Sequence, residues 1–273
     1  MKRKGLGDMK NLTEKHWFYI CTIIAVLGFT LAVIGAIKAS HAQGLTTSSI
    51  NRVSIYSAEG YHANTYATAR NLTTATQIPT NNFLVGQSNN NPECCVRRTY
   101  LSFAIPNMIS VSACSLCVYN NGGTISSGNE FYLRIFGARS SKPVYDLDDF
   151  PRFNGWAASG SYTGTVLNNN FYVASTWTSS TWNKTDFNAA GLDSVFAARN
   201  DTLWIVLLSS KDVSSTDPTA GKQEWINILN TSYIPHLSIT YTAPSTVKMR
   251  KYLYDKDPFY LWQNGESTPL YKK

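Results

Sequence analysis

Between Arg52 and Thr242 the chain is a succession of short apolar or alternating runs separated by turn-forming clusters. The runs are RVSIYS (52–57), NNFLVGQS (81–88), RTYLSFAI (98–105), CSLCVYN (114–120), EFYLRIFGA (130–138), DTLWIVLLSS (201–210), KQEWINIL (222–229) and PHLSITYT (235–242). Between them lie NNGGTISSGN (120–129), NNN (168–170) and SSTDPTAG (214–221). Val, Ile, Thr and aromatic residues fit a pleated, half-buried surface, while Asn and Gly tolerate the backbone angles that turns need. Many short strands broken by turn signals predict an all-β sandwich or barrel. One short helix is expected within TDFNAAGLDSVFAAR (185–199), where Leu192, Val195 and Phe196 recur at i, i+3 and i+4.

The formal net charge of +7 would suggest nucleic acid if it were spread evenly. It is not: residues 1–42 carry +4, residues 43–242 are neutral, and residues 243–273 carry +3. A neutral central domain has no bulk electrostatic attraction to phosphates, so no nucleic-acid partner is expected.

The positive N-terminus has a membrane explanation. Residues 17–37 form an apolar run without a charged side chain, and a helix needs ~20 such residues to cross a bilayer. Lys2, Arg3, Lys4, Lys10 and Lys15 precede it, which places residue 1 in the cytoplasm and everything after Lys38 outside. Residues 1–42 therefore read as a signal peptide or as a transmembrane signal anchor. Ser40 and Ala42 offer small residues for cleavage, whereas the run exceeds the ~7–15 apolar residues of most signal peptides. Either way the rest is exported, and an uncleaved leader would hold it to the membrane through residues 17–37. Residues 43–51 read as a polar linker and 52–242 as the domain.

Residues 243–273 form an appendage rich in aromatic residues, in which Gln263-Asn264-Gly265 marks a hairpin turn. Exposed Tyr252, Tyr254, Phe259, Tyr260 and Trp262 would be adhesive, so the hairpin should cover the domain or a neighbouring copy.

Cys114 and Cys117 form a Cys-x-x-Cys. In a strand their side chains point to opposite faces, Cys114 with Leu116 and Val118 toward the core and Cys117 with Ser115 and Tyr119 away from it. A zinc or redox pair needs a turn or helix start that brings the sulfurs together, so neither chemistry is expected. Export permits disulfides. With Cys114 buried, Cys117 is the partner for Cys94 or Cys95, in a cross-link that would contribute ~2–4 kcal/mol.

RRTYLSFAIPNMISVSACSLCVYN (97–120) resembles the signature of the DNRLRE domains, a jelly-roll family grouped with certain carbohydrate-binding modules. Aligned without gaps from Ile105-Pro106, Val111, Cys114, Leu116 and Val118 fall on its inward apolar positions, with Cys114 where a small Ala is usual. STWTSSTWNKTDFNAAGL (175–192) resembles the family's Trp-Asn and Phe-x-Asn-x-x-Gly-Leu stretch, and IPHLSITYT (234–242) its closing strand. Ala104 departs from the family, which often has Asp there. The resemblance spans about residues 52–242. It implies a jelly-roll β-sandwich of microbial cell-surface and secreted proteins, non-catalytic, binding glycan or serving as a scaffold.

Conventional catalysis finds little purchase. His16, His41, His62 and His236 show no ligand spacing, and no nucleophile-elbow, zinc-protease or phosphate-loop motif occurs. No cofactor is expected beyond a structural calcium ion, for which Asp146, Asp148 and Asp149 are the candidate ligands. In the same loop Tyr145, Phe153, Trp156 and Tyr162 interleave with polar residues and are the candidate sugar-binding side chains; alternatively they pin the loop to the core. Trp177, Trp182, Trp204 and Trp225 read as packing residues. Asn71, Asn183, Asn200 and Asn230 stand in glycosylation sequons of the exported part. The expectation is an extracellular, cell-surface or membrane-anchored domain that binds glycan or cell-surface polymer. The alternative is a structural subunit of a filament, sheath or surface layer that self-assembles by strand addition through residues 243–273.

Overall fold

The computed structural model describes residues 26–27, 42–58, 65–78, 82–89, 93–125, 130–138, 146–173, 177–229, 232–244, 248–249, 259–263 and 266–270, with the backbone alone for 50–58 and beyond 244. Contacts divide the chain into two units, Met1–Ala42 and Gln43–Lys273. In the first unit Val26 and Leu27 are helical; the rest of the apolar run 17–37 lies outside the described residues. Among the described residues no helix is long and apolar enough to cross a membrane.

Among the described residues of the second unit, ten strands form one antiparallel sheet. They are β1 (Ala42–Ala58), β2 (Asn82–Asn89), β3 (Cys94–Ala104), β4 (Ser110–Ile125), β5 (Tyr132–Gly137), β6 (Phe171–Tyr172), β7 (Trp182–Asp186), β8 (Thr202–Ser209), β9 (Lys222–Leu229) and β10 (His236–Thr242). Helices α1 (Tyr66–Arg70), α2 (Ala189–Ala197) and α3 (Ser210–Ser214) are short. The hydrogen-bonded order is β1-β10-β4-β9-β2-β3-β8-β5-β6, with β7 joined to β4. Because β1 also pairs with β3, the pairings β1–β10–β4–β9–β2–β3–β1 close a circuit.

Each apolar run read from the sequence lies in one of these strands. One feature differs from expectation and one adds to it. Residues 43–51 are not a linker but the first half of β1, where half-buried Leu45, Thr47 and Ser49 alternate with exposed Gly44, Thr46 and Ser48. Its Ser/Thr content hides an ordinary strand period. Next, β3 and β4 are consecutive but do not pair: β3 bonds to β1, β2 and β8, and β4 to β7, β9 and β10. The Ile105-Pro106 connection is thus an arch between different partners rather than a hairpin.

Two apolar clusters hold the fold. The larger collects the inward residues of the strands, including Phe83, Val85, Leu101, Phe103, Leu116 and Ile226. Val195 of α2 is buried in it, with Leu192 and Phe196 packed alongside. Asn188 caps this helix by accepting from Gly191 N at 2.9 Å. Val111 and Cys114, an odd three positions apart, both belong with this core because the register slips between Thr240 and Tyr241, leaving Ser112 as a bulge.

The smaller cluster lies on the opposite face of β3 and β8. Val96, Tyr100, Val206 and Leu208 meet Tyr66 of α1 and Phe150, Phe153 and Tyr162 of the 146–166 loop there. Strands covered on both faces read as near-continuous apolar runs, as LWIVLL (203–208) does.

Beyond the main sheet, β11 (Lys248–Met249), β12 (Phe259–Gln263) and β13 (Glu266–Leu270) form a separate three-stranded sheet. Gln263 pairs with Glu266 across residues 264–265; Tyr252 and Tyr254 lie outside the described residues.

Candidate functional site

In the loop that the sequence offered as a sugar site, the described aromatic side chains are buried or half-buried. Phe153 is 0% exposed and Tyr162 5%; Trp156 is half-buried against the same cluster, and Tyr145 lies outside the described residues. Their place is set by a buried ion pair. Arg98 of β3 donates through Nε to Asp212 Oδ2 at 2.9 Å and through Nη2 to Oδ1 at 3.1 Å. It also donates to the Phe150 carbonyl at 3.0 Å, the Arg70 carbonyl at 2.9 Å and the Tyr162 hydroxyl at 2.6 Å. Arg70 Nε donates to the Asp212 carbonyl at 2.8 Å and lies 3.3 Å from Oδ1. Each guanidinium covers a ring, Arg98 over Phe150 at 3.9 Å and Arg70 over Tyr162 at 4.0 Å. Burial holds the Tyr162 and Tyr66 phenols protonated, well above their ordinary range. The aromatics of this loop thus pin it to the core, the alternative reading of the sequence. Nothing local in SSKDVSS (209–215) betrays Asp212 as its buried counter-charge.

The acids at the head of this loop close a turn. Asp146 Oδ1 accepts from Asp148 N at 3.1 Å, Asp149 Oδ2 accepts from Asp146 N at 2.9 Å, and Arg152 lies 3.3 Å from Asp149 Oδ1. This is a reciprocal cap on the turn Leu147–Asp149. Among the described residues no group of three or more His, Cys, Asp or Glu is placed to hold a metal ion, and the Asp146 and Asp149 carboxylates are engaged in this cap.

Cys94, Cys95, Cys114 and Cys117 are free thiols. The expected cross-link is not formed, and the ladders explain why. Cys94 and Cys95 stand opposite Asn89 and Ala58, whereas Cys114 and Cys117 stand opposite Ile239 and His236. Burial pushes the Cys114 thiol up to about 12 and raises that of Cys117, which leaves both poor nucleophiles and metal ligands. Of the sequon residues, Asn71 is half-buried and Asn200 exposed, while Asn230 lies outside the described residues. Asn183 is 5% exposed, and its Nδ2 donates to the carbonyls of Thr178 and Thr181. In the folded domain it offers no accessible amide.

The exposed aromatic surface lies on the outer side of β7, β4 and β10. Trp182, expected to be a packing residue, is 42% exposed, and Tyr233 is 39%. Tyr119 and Tyr233 stack at 3.8 Å with an interplanar angle of 8°. Trp182 meets both edge-on, at 5.7 and 6.1 Å, and lies 4.8 Å from the His236 ring. Such contacts fix ring orientation at about 0.5–1.5 kcal/mol each. Tyr119 is anchored further, its hydroxyl donating to the Ser180 carbonyl at 2.8 Å. The strand register continues the face as polar rows, Lys184 beside Cys117 and His236, then Asp186 beside Ser115 and Ser238. Ser115 Oγ donates to Asp186 Oδ1 at 2.6 Å, the main reason the Asp186 carboxyl is held below its ordinary range. Lys184 lies 3.4 Å from the same oxygen.

A cavity of about 320 Å³ lies on the core-facing side of β4, where it meets β9. Asn120, the neighbour of Tyr119, lines it together with Glu130 and Ser179. Val173, Trp177 and Ile226 give it apolar walls. It opens where the β4–β9 register slips between Asn120 and Gly123. Gly122 and Gly123 also line it, with φ of +106° and +157°, angles that favour glycine. A Cβ on Gly123 would stand 2.7 Å from the Trp225 carbonyl oxygen. The segment 177–182 serves both features, with Trp177 and Ser179 on the cavity and Trp182 on the platform. The Trp177 indole N–H is buried with no hydrogen-bond partner, a state that costs about 1–3 kcal/mol. The likeness to DNRLRE domains rests on the motif residues alone: no family model matches this chain, and no curated protein is found similar to it.

Proposed function

We propose that this chain is an exported, non-catalytic jelly-roll β-sandwich that binds glycan or cell-surface polymer, presented at or near the membrane by its N-terminal apolar run. The observation that carries the reading is the Trp182–Tyr119–Tyr233 cluster, a rigid aromatic platform open to solvent on a sheet face whose remaining rows are polar. A sugar ring has an apolar face formed by its C–H groups and a rim of hydroxyls. An aromatic plane with nearby Lys, Asp and Ser side chains complements both. The antiparallel strands, the arch at Ile105-Pro106 and the inward positions of Val111, Leu116 and Val118 support the jelly-roll assignment. The test is retention of the purified full-length protein on a panel of immobilised neutral and acidic polysaccharides. Retention that is lost in Trp182→Ala supports the reading, and no retention by the wild-type protein on any of them overturns it.

A structural-subunit role draws on a different observation, the separate sheet of β11, β12 and β13. Polymers seen by electron microscopy of the full chain and absent after deletion of residues 243–273 would favour that role.

A further inference from the structure

We infer that the outer face of β5 and β6 carries a second site, which takes the carboxylate of a uronic-acid unit in the bound polymer. The inference rests on the glycan-binding reading above and names the class of unit selected. Tyr132 of β5 and Tyr172 of β6 stand opposite one another in the ladder, and their rings lie 5.0 Å apart at 45°. Two residues along β5, the Arg134 guanidinium lies 5.0 Å from the centre of the Tyr132 ring and donates through Nη1 to Asn170 Oδ1 at 2.7 Å. Those two contacts hold the guanidinium plane. Nε and Nη2 bond nothing among the described residues, and neither is shut off from solvent. This is the edge through which Arg98 grips both oxygens of Asp212. A carboxylate matches its two parallel donors. Beside it the Tyr132 ring, 38% exposed, offers an apolar face to sugar C–H groups, and Asn170 Nδ2 is left to meet a hydroxyl.

Charge supports this assignment. Arg134 is half-buried, and no carboxylate is paired with it among the described residues. Burial lowers its pKa from the ordinary value, only the Tyr132 phenol opposes this, and no acid contributes. On β7 the Asp186 carboxylate is already engaged by Ser115 and Lys184. Arg70 and Arg98, by contrast, share Asp212. A cation partly removed from water without a counter-charge carries a cost that an arriving anion offsets. The site and the platform share a sheet face. Asn168 accepts from Ile135 N of β5 at 2.9 Å and donates to the Thr185 hydroxyl of β7 at 3.2 Å, so the segment leading into β6 lies between those strands. Two strand spacings, about 10 Å, separate β5 from β7. Tyr132, Arg134, Asn170, Tyr172, Trp182 and Lys184 alternate with buried neighbours along their segments, and so all point outward. Because the Asn168–Phe187 bridge is antiparallel, Tyr172 and Trp182 lie toward the same end of that face.

The experiment is calorimetric titration of the full-length protein with two matched oligosaccharides, a neutral glucan and the same chain oxidised at C6 to the uronate. The uronate chain is expected to bind about tenfold more tightly, the effect of one charge-assisted hydrogen-bonded pair. Arg134→Gln, its folding checked by melting temperature, is expected to remove that gap. Arg134→Lys keeps the charge without the planar fork and should retain only part of it. Trp182→Ala should weaken both chains alike, because the platform serves both. Equal or tighter binding of the neutral chain by the wild-type protein overturns the inference and leaves the proposed function standing. So does a uronate preference that Arg134→Gln and Arg134→Lys both leave intact. Displacement of the uronate chain by polyglutamate at equal charge concentration also overturns it, since the site would then read charge without sugar. Absence of binding to any glycan removes both.

Discussion

Two parts of the molecule interleave aromatic with polar residues, and the fold uses them in opposite ways. The loop from Asp146 to Tyr162 buries its rings around Arg98 and Asp212. The outer face of β7, β4 and β10 leaves Trp182 and Tyr233 partly in solvent, braced by one another, by Tyr119 and, at Trp182, by the His236 ring. Composition does not separate the two. A charge in the sheet beneath does: Arg98 needs a dry, fully bonded enclosure, and a loop of aromatics is the enclosure. No buried charge is bonded to the rings of the outer face, so nothing there requires a lid.

The sharpest way to break this comparison is Asp212→Ala. It would leave Arg98 and Arg70 buried without a counter-charge, and a loss of about 3–5 kcal/mol is expected in urea unfolding. A loss below ~1 kcal/mol would mean that the loop is not fastened by the pair. Phe153→Ala should cost about 3 kcal/mol or more as a buried aromatic truncation. Trp182→Ala, with a ring of similar bulk on the outer face, should stay within about 1 kcal/mol while removing retention on polysaccharide. Equal stability losses from these two variants would erase the distinction.

A pH profile sharpens the contrast in another way. Glu224 is buried on the inner side of β9, 2.9 Å from Lys211 of α3, with Gln87 of β2 and Glu130 also facing it. Burial pushes its carboxyl up to about 7, and Lys211 pulls it only part of the way back. The native state therefore holds this proton to higher pH than the unfolded chain does. Its contribution to stability is full below about 4.5 and is lost as pH rises toward about 7. The melting temperature of Glu224→Gln should fall less over that window than that of the wild-type protein; parallel profiles would refute the assignment. The smallest effect belongs to the acids of the loop head. Asp148→Asn should change stability by less than about 0.5 kcal/mol, and calcium or chelator should leave the melting temperature unchanged.

Most strands and α2 are legible in the sequence because period and burial agree there, as in Leu237, Ile239 and Tyr241 against Ser238 and Thr240. What the sequence hides is burial that depends on distant partners. Asn183 and Thr185 face inward on β7 although both are polar, because hydrogen bonds to the 178–181 turn satisfy Asn183. The first half of β1 is a strand written in Ser and Thr. Asp212 is separated from Arg98 by 114 positions, so no local pattern announces the pair. The same limit explains the tryptophans: Trp182 looks like packing in sequence, and only the pairing of β7 with the outer edge of β4 brings it beside Tyr119.

The closed circuit of pairings has a consequence for how such domains can be crowded together. Among the described residues the sheet order runs out at β6, two residues long, and the side branch at β7, five residues long with an exposed lysine on it. Short or charged margins are poor templates for a neighbour's backbone. The described margins of the sheet therefore offer a second copy few backbone groups to pair with.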